Sequence, residues 1–253
     1  MRRLLHNRPW LITLAVLVLL AAVNTVLQPS FIQPAVLQSN LTTFLPLILV
    51  AIGQTYVILA GDIDLSVGSI VALSNVVTVY VFAALGNGPD AIPYGMAAGL
   101  ATGLLVGLLN GVLVSVLRLQ PIVTTFATGI VLAGAAIWVL PQAGLPVPDG
   151  YWMAYSGTVL GVPTVLLILA AAALCVAILS RSVFQAHLLA VGGNRAGAFQ
   201  TGLSVVRLRI LAYGLSGLFS AVAALCLTGE TASGDPLLGG ALALSAILSL
   251  IHI

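Results

Sequence analysis

Along the chain, long apolar runs alternate with short polar or charged interruptions. No charged residue lies between Arg8 and Asp62, between Asp64 and Asp90, between Asp90 and Arg118, between Arg118 and Asp149, between Asp149 and Arg181, or between Arg209 and Glu230. A helix that crosses a bilayer needs roughly 20 residues, so the first gap holds two helices and each later gap holds one. The predicted spans are 9–28, 41–60, 66–86, 94–117, 121–140, 162–180 and 210–228, with an eighth starting near 239. Inside the runs the apolar residues are continuous, whereas barrel strands would alternate apolar and polar positions. The pattern predicts an all-α, polytopic transmembrane bundle of about seven complete helices plus the start of an eighth.

Composition agrees. Sixty percent of the 253 residues are hydrophobic and 6% are charged, and the mean hydropathy is +1.19. A soluble domain of this length carries far more charge, so lipid must be the main solvent. With the N-terminus in the cytoplasm, alternate threading puts Arg2, Arg3, Arg8, Arg118, Arg181, Arg195, Arg207 and Arg209 on the inner side. Asp90, Asp149, Glu230 and Asp235 then fall outside. All eight arginines obey the positive-inside rule. The net charge of +2 comes from that inner rim and gives no sign of a nucleic-acid partner. The start, Arg2 and Arg3 ahead of an apolar run, resembles a signal peptide, but no clean small-x-small site follows Ala22 and the run is long enough to span. Cys175 and Cys226 stand alone in apolar helices as packed thiols, too isolated for a metal site. Trp10, Trp138, Tyr151, Trp152 and Tyr155 fall near predicted interfaces, as anchoring belt residues do.

Gly95, Gly99, Gly103, Gly107 and Gly111 recur at every fourth position of the span 94–117. They form a slowly winding groove where another helix can approach closely, and packing inside the bundle is favoured over a dimer seam. Asn110 beside the groove reads equally as an interhelical hydrogen bond or as a pathway residue. Residues 141–161, rich in Pro and Gly with an aromatic cluster, read as an outer loop with a short segment on the membrane surface. The longest inner excursion, 181–209, mixes four arginines with Phe184, Leu188, Leu189, Phe199, Leu203 and Val206. A helix, a Gly-Gly-Asn break and a second helix would present one apolar face to a partner, or else lie on the lipid headgroups.

Asp62 and Asp64 sit between two spans in a chain with only six acidic residues. Gly61 suits a helix end. Asp64 suits an N-cap for the helix that follows, with Ser66 as the alternative cap. Asp62 would bind the same cluster or a neighbouring polar group. Unwound helix ends in transporters often line the pathway, which keeps a substrate or ion contact open beside the capping role. Intramembrane aspartyl enzymes take their carboxylates from separate helices, whereas these two share one turn. With His6, His187 and His252 far apart and no phosphate-binding glycine loop, the chain does not read as an enzyme.

The stretch AIGQTYVILAGDIDLSVGS (51–69) resembles the signature of sugar-type ABC importer permeases, the family serving ribose, xylose, galactose, rhamnose and related substrates. The family's usual form has two glycines before Ile-Asp-Leu-Ser, and Asp62 replaces the second. Three further stretches resemble the family in order: GLLNGVLVSVLRLQPIVTTFATGIVLAG (107–134), HLLAVGGNRAGAFQTGLSVVRLRILAYGLSGLFSAVAAL (187–225) and TASGDPLLGG (231–240). Gly197 and Thr201 stand where the family usually has alanine and serine. Family members continue for several helices beyond the position of Ala246, so the chain reads as a single permease domain, 1–253, lacking the family's last helices.

The resemblance implies a multi-pass subunit of the bacterial inner membrane that carries a monosaccharide. Implied partners are a second permease copy, identical or not, a periplasmic or surface-tethered sugar-binding protein, and cytosolic ATP-binding subunits. ATP would be bound by those subunits and no cofactor or metal by this chain. The implied signature turn is Gly61, Asp62, Asp64, Ser66 and Gly68. The implied ATPase-docking residues are Gly192, Gly193, Asn194 and Ala198, with Arg195 on the rim. Gln54, Thr55, Ser74, Asn75, Asn110, Thr124 and Thr128 are polar residues within spans that would face a pathway, or satisfy carbonyls of the preceding turn. A branched-chain amino acid importer permease is the nearest alternative, and a secondary transporter stands behind it.

Overall fold

The computed structural model describes residues 10–251; Arg2, Arg3 and Arg8 of the inner rim lie outside the described residues. The first helices are α1 (Trp10–Leu27), α2 (Pro34–Leu59), α3 (Val67–Ala84), α4 (Ala91–Ser115) and α5 (Pro121–Val139). A short α6 (Asp149–Ser156) precedes α7 (Thr164–Ser180) and the pair α8 (Val183–Gly193) and α9 (Arg195–Gln200). The long α10 (Val205–Thr231) and then α11 (Gly240–Ile251) complete an all-α polytopic bundle. Two-residue strands staple its loops: β1 (Leu145–Pro146) pairs antiparallel with β4 (Ser233–Gly234), and β2 (Thr158–Val159) with β3 (Val162–Pro163).

Helices α2, α3, α4, α5 and α10 are long and apolar enough to cross a membrane, and α7 with α8 makes a sixth if that pair is one span. Among the described residues five helices, or six with the bent pair, meet the length and composition of a span. Helix α7 has only 17 residues before it bends by 70° into α8. Helix starts follow local chemistry. Pro34 and Pro121 open α2 and α5, where a fixed φ and a missing N–H cost nothing. Pro46 is tolerated inside α2 because neighbouring helices enclose it.

Helix α10 is the axis of the bundle, packed against α2, α3 and α4. The five glycines of α4 are all buried and make this possible. Gly95 and Gly99 lie against Phe82 and Thr78 of α3, while Gly103, Gly107 and Gly111 lie against Gly217, Tyr213 and Ile210 of α10. The groove is thus an internal seam. A second close crossing joins Gly68 at the start of α3 to Gly239, just before α11, where a Cβ on either would strike the other's carbonyl.

At the outer end α6 packs Tyr151 and Tyr155 into the bundle, while Met153, Val159 and Leu160 stay exposed. One sequence expectation is corrected there. Tyr151 and Tyr155 are core residues rather than belt anchors: Tyr151 packs its ring at a tilt on Phe82 and donates to the Leu225 carbonyl at 2.7 Å, and Tyr155 donates to Thr42 O at 3.2 Å. In a membrane interior a phenol needs such an acceptor, which a count of loop prolines does not reveal. Trp138, at 83% exposure, does stand at the periphery.

Candidate functional site

Between α2 and α3 the chain leaves helix geometry for seven residues, 60–66. Gly61 adopts a left-handed φ of +78°, which turns the chain back toward the bundle. That reversal aims Asp62 inward, where its side chain is 1% exposed. A bare carboxylate there would be very costly, and two guanidiniums meet it. Arg209, in the first turns of α10, donates through Nε to Oδ2 at 2.8 Å, with Nη2 at 2.7 Å from the same oxygen. Arg195, the first residue of α9, reaches Oδ1 with Nη2 at 2.5 Å. The same Nη2 donates to Gly61 O at 2.9 Å and Ala60 O at 3.3 Å. These two carbonyls belong to the turn that follows α2, where the helix ladder has ended.

Asp64 serves the following helix. It is fully buried, and its Oδ1 accepts from the Ser66 N–H at 2.9 Å and the Ser66 hydroxyl at 2.6 Å. Burial pushes the Asp64 carboxyl above its ordinary range, and the bonds from Ser66 pull it partly back. Ser66 occupies the N-cap position of α3 without a side-chain cap bond, so Asp64 braces the entry from two residues upstream. Asn110 Nδ2 donates to Ser66 Oγ at 2.8 Å, which makes it the interhelical bond that the sequence left open. Helix α5 joins through Thr125, whose hydroxyl accepts from Leu65 N at 3.0 Å and donates to Pro121 O at 2.9 Å. The turn is wired to α4, α5, α9 and α10.

The segment 192–198 divides into two roles. Gly192 packs on the Leu59 carbonyl, with no room there for a Cβ, and Ala198 is buried. Gly193 and Asn194 form the exposed break, and no atom lies within 4 Å of a Cβ built on Gly193. Asn194 caps α9 by accepting from Gly197 N at 3.0 Å. Arg195 turns its Nη2 back onto the bundle while its side chain stays 43% exposed. Around it Leu189, Phe199 and Val206 are exposed, while Leu188 is buried.

The polar residues within spans also separate. Asn75 is a clasp: its Nδ2 donates to Thr228 Oγ1 at 2.7 Å and its Oδ1 accepts from Asp235 N at 2.8 Å, fastening the outer turn to α3. Thr55, Thr124 and Thr128 donate to carbonyls of their own helices. Gln54 and Ser74 are buried with no side-chain hydrogen bond. Sequence reasoning missed Arg209 and Thr125 as members of the site. Their partners are distant in the chain, and the only local signal was an arginine inside the apolar run RLRILAY.

Residues 36–251 match the family model described as "Branched-chain amino acid transport system / permease component". The chain is 35% identical over 240 residues to the ribose import permease protein RbsC of Bacillus subtilis (strain 168), covering 93% of this chain and 73% of that protein. It is 34% identical over 191 residues to the L-arabinose transport system permease protein AraH of Escherichia coli (strain K12), with 75% and 57% covered. Against the galactofuranose transporter permease protein YtfT of the same organism it is 33% identical, with 94% and 72% covered. No solved structure matches it. With a family model spanning most of the chain and a sugar import permease aligned along nearly all of it, the protein belongs to the permease family of sugar-type ABC importers.

Proposed function

We propose that the chain is the membrane-spanning subunit of a binding-protein-dependent importer, moving a monosaccharide inward across the bacterial inner membrane. Cytosolic partner subunits bind and hydrolyse the ATP, a sugar-binding protein delivers substrate at the outer end, and a second permease copy completes the pathway. The observation that carries this reading is the excursion α8–α9. It bends away from α7 by 70°, exposes Leu189, Phe199 and the Gly193–Asn194 break, and remains tied to the bundle through Arg195. Such an exposed yet anchored platform suits a motor that pushes from the cytosol. The named substrates of the relatives, ribose, L-arabinose and galactofuranose, favour a sugar over a branched-chain amino acid. A secondary transporter is disfavoured because Asp62 is committed to two arginines and Asp64 to Ser66.

The test is uptake into proteoliposomes holding the permease with its ATP-binding subunits and binding protein. Labelled ribose, arabinose or galactose should accumulate only with ATP inside the motor compartment, and labelled leucine should not. Accumulation driven by a proton gradient without the ATP-binding subunits would overturn the reading. Docking has its own test in Gly193→Trp. The site is open, so the bundle should melt unchanged while co-purification of the ATP-binding subunit falls by about tenfold or more. Full co-purification would remove Gly193 from the docking surface.

A further inference from the structure

We propose that Asp62 is a coupling pin that makes α9, the inner turn and α10 one mechanical unit, with Arg209 as its fixed arm and Arg195 as its releasable arm. Its use in transport rests on the docking role given above to α8 and α9; the mechanical tie does not.

The two arginines hold one carboxylate under different conditions. The Arg209 side chain is 10% exposed, and its Nη1 also lies 3.5 Å from Val114 O at the end of α4. Water and salt have little access to that pair, so it keeps its strength. The Arg195 side chain is 43% exposed and borders a cleft of ≈220 Å³ between the inner turn and residues 120–122. An ion pair open to solvent is weak and screened by salt, so this arm can let go while the other holds.

The consequences of release are local and directional. All of Arg195's hydrogen bonds leave from Nη2, and they end on Ala60 O, Gly61 O and Asp62 Oδ1. Losing them leaves the Ala60 and Gly61 carbonyls without that donor and frees one side of the turn. Helix α9 has six residues, too few to persist without tertiary anchors. Any displacement of α9 therefore either carries the turn with it, while Arg195 holds, or slips past it, once Arg195 lets go. Asp62 is a positioning residue here and touches no substrate.

The experiment uses the protein in lipid nanodiscs and reads amide hydrogen exchange by mass spectrometry over residues 58–66, 192–203 and, as an internal standard, 91–115. Arg195→Gln should speed exchange by up to about fivefold in both 58–66 and 192–203 and leave 91–115 unchanged. Arg195→Lys should fall between that variant and the unmodified chain. Raising salt from about 20 mM to about 1 M should accelerate both segments in the unmodified chain and add nothing in Arg195→Gln. Faster exchange confined to 192–203 would show that α9 and the turn move independently and would overturn the proposal. So would no change in either segment, or faster exchange that includes 91–115, which would make Arg195 an ordinary stability residue. None of these readings depends on sugar uptake, so failure of the transport assay and failure of the pin are told apart.

Discussion

Arg209→Met is expected to destabilise the bundle by about 3–5 kcal/mol, the cost of leaving a buried carboxylate without its main partner. Asp62 is 1% exposed on its side chain and cannot move to water without unwinding the turn that Gly61 reverses. Arg195 remains, but its guanidinium is nearly half exposed and hydrates at the expense of the pair. The double change Asp62→Asn with Arg209→Met should recover much of the loss, because no unpaired charge is then buried. Arg195→Gln alone should cost about 1 kcal/mol or less, as exposed pairs do. Thermal unfolding in one detergent, followed by near-ultraviolet circular dichroism, ranks the four proteins. If Arg209→Met melts with the unmodified chain, the buried ion pair is not what holds the inner turn.

Gly217→Leu should abolish the folded state altogether. A Cβ at Gly217 would overlap the Gly103 carbonyl and lie 2.9 Å from Gly107 Cα and 3.0 Å from Gly107 N. These are backbone atoms of α4, so no side chain can rotate out of the way, and the α4–α10 seam must part. Without a hydrophobic force between helices in lipid, close packing is much of what holds such a pair, and nothing offsets its loss. Even Gly217→Ala should lower the melting temperature. Gly134→Ala in α5 is the control: nothing lies within 4 Å of its Cβ, so the gain in helix propensity, roughly 1 kcal/mol at most, should leave the protein as stable or slightly more so. Monodispersity on size-exclusion chromatography separates the outcomes. A Gly217→Leu protein that elutes and melts normally would show that α4 and α10 are not in close register.

The spans and the glycine seam were legible because both are periodic, local patterns. Charge gaps located α3, α5 and α7 to within about two residues, and the every-fourth glycines pointed to an internal contact that the structure fills with α3 and α10. The helix–break–helix form of 183–200 could be read from Gly192, Gly193 and Asn194. Interactions across long separations were not legible. Asp62 stands out as an acid in an apolar context, but its partners lie 133 and 147 positions away, and no spacing rule selects two arginines from eight. Tyr151 and Tyr155 were misplaced for a related reason: an aromatic at a predicted interface looks the same whether its hydroxyl meets water or a carbonyl of α10 or α2. Asn75, which resembled a pathway residue, turned out to hold the outer turn.

The bend after α7 sets a scale for movement. Eleven residues rising about 1.5 Å each make α8 a rod about 16 Å long, so a tilt of roughly ten degrees about the Arg181–Ser182 elbow swings its far end by about 3 Å. That is about the length of one hydrogen bond. A nudge too small to repack any span is thus already large enough to trade one contact for another at the tip.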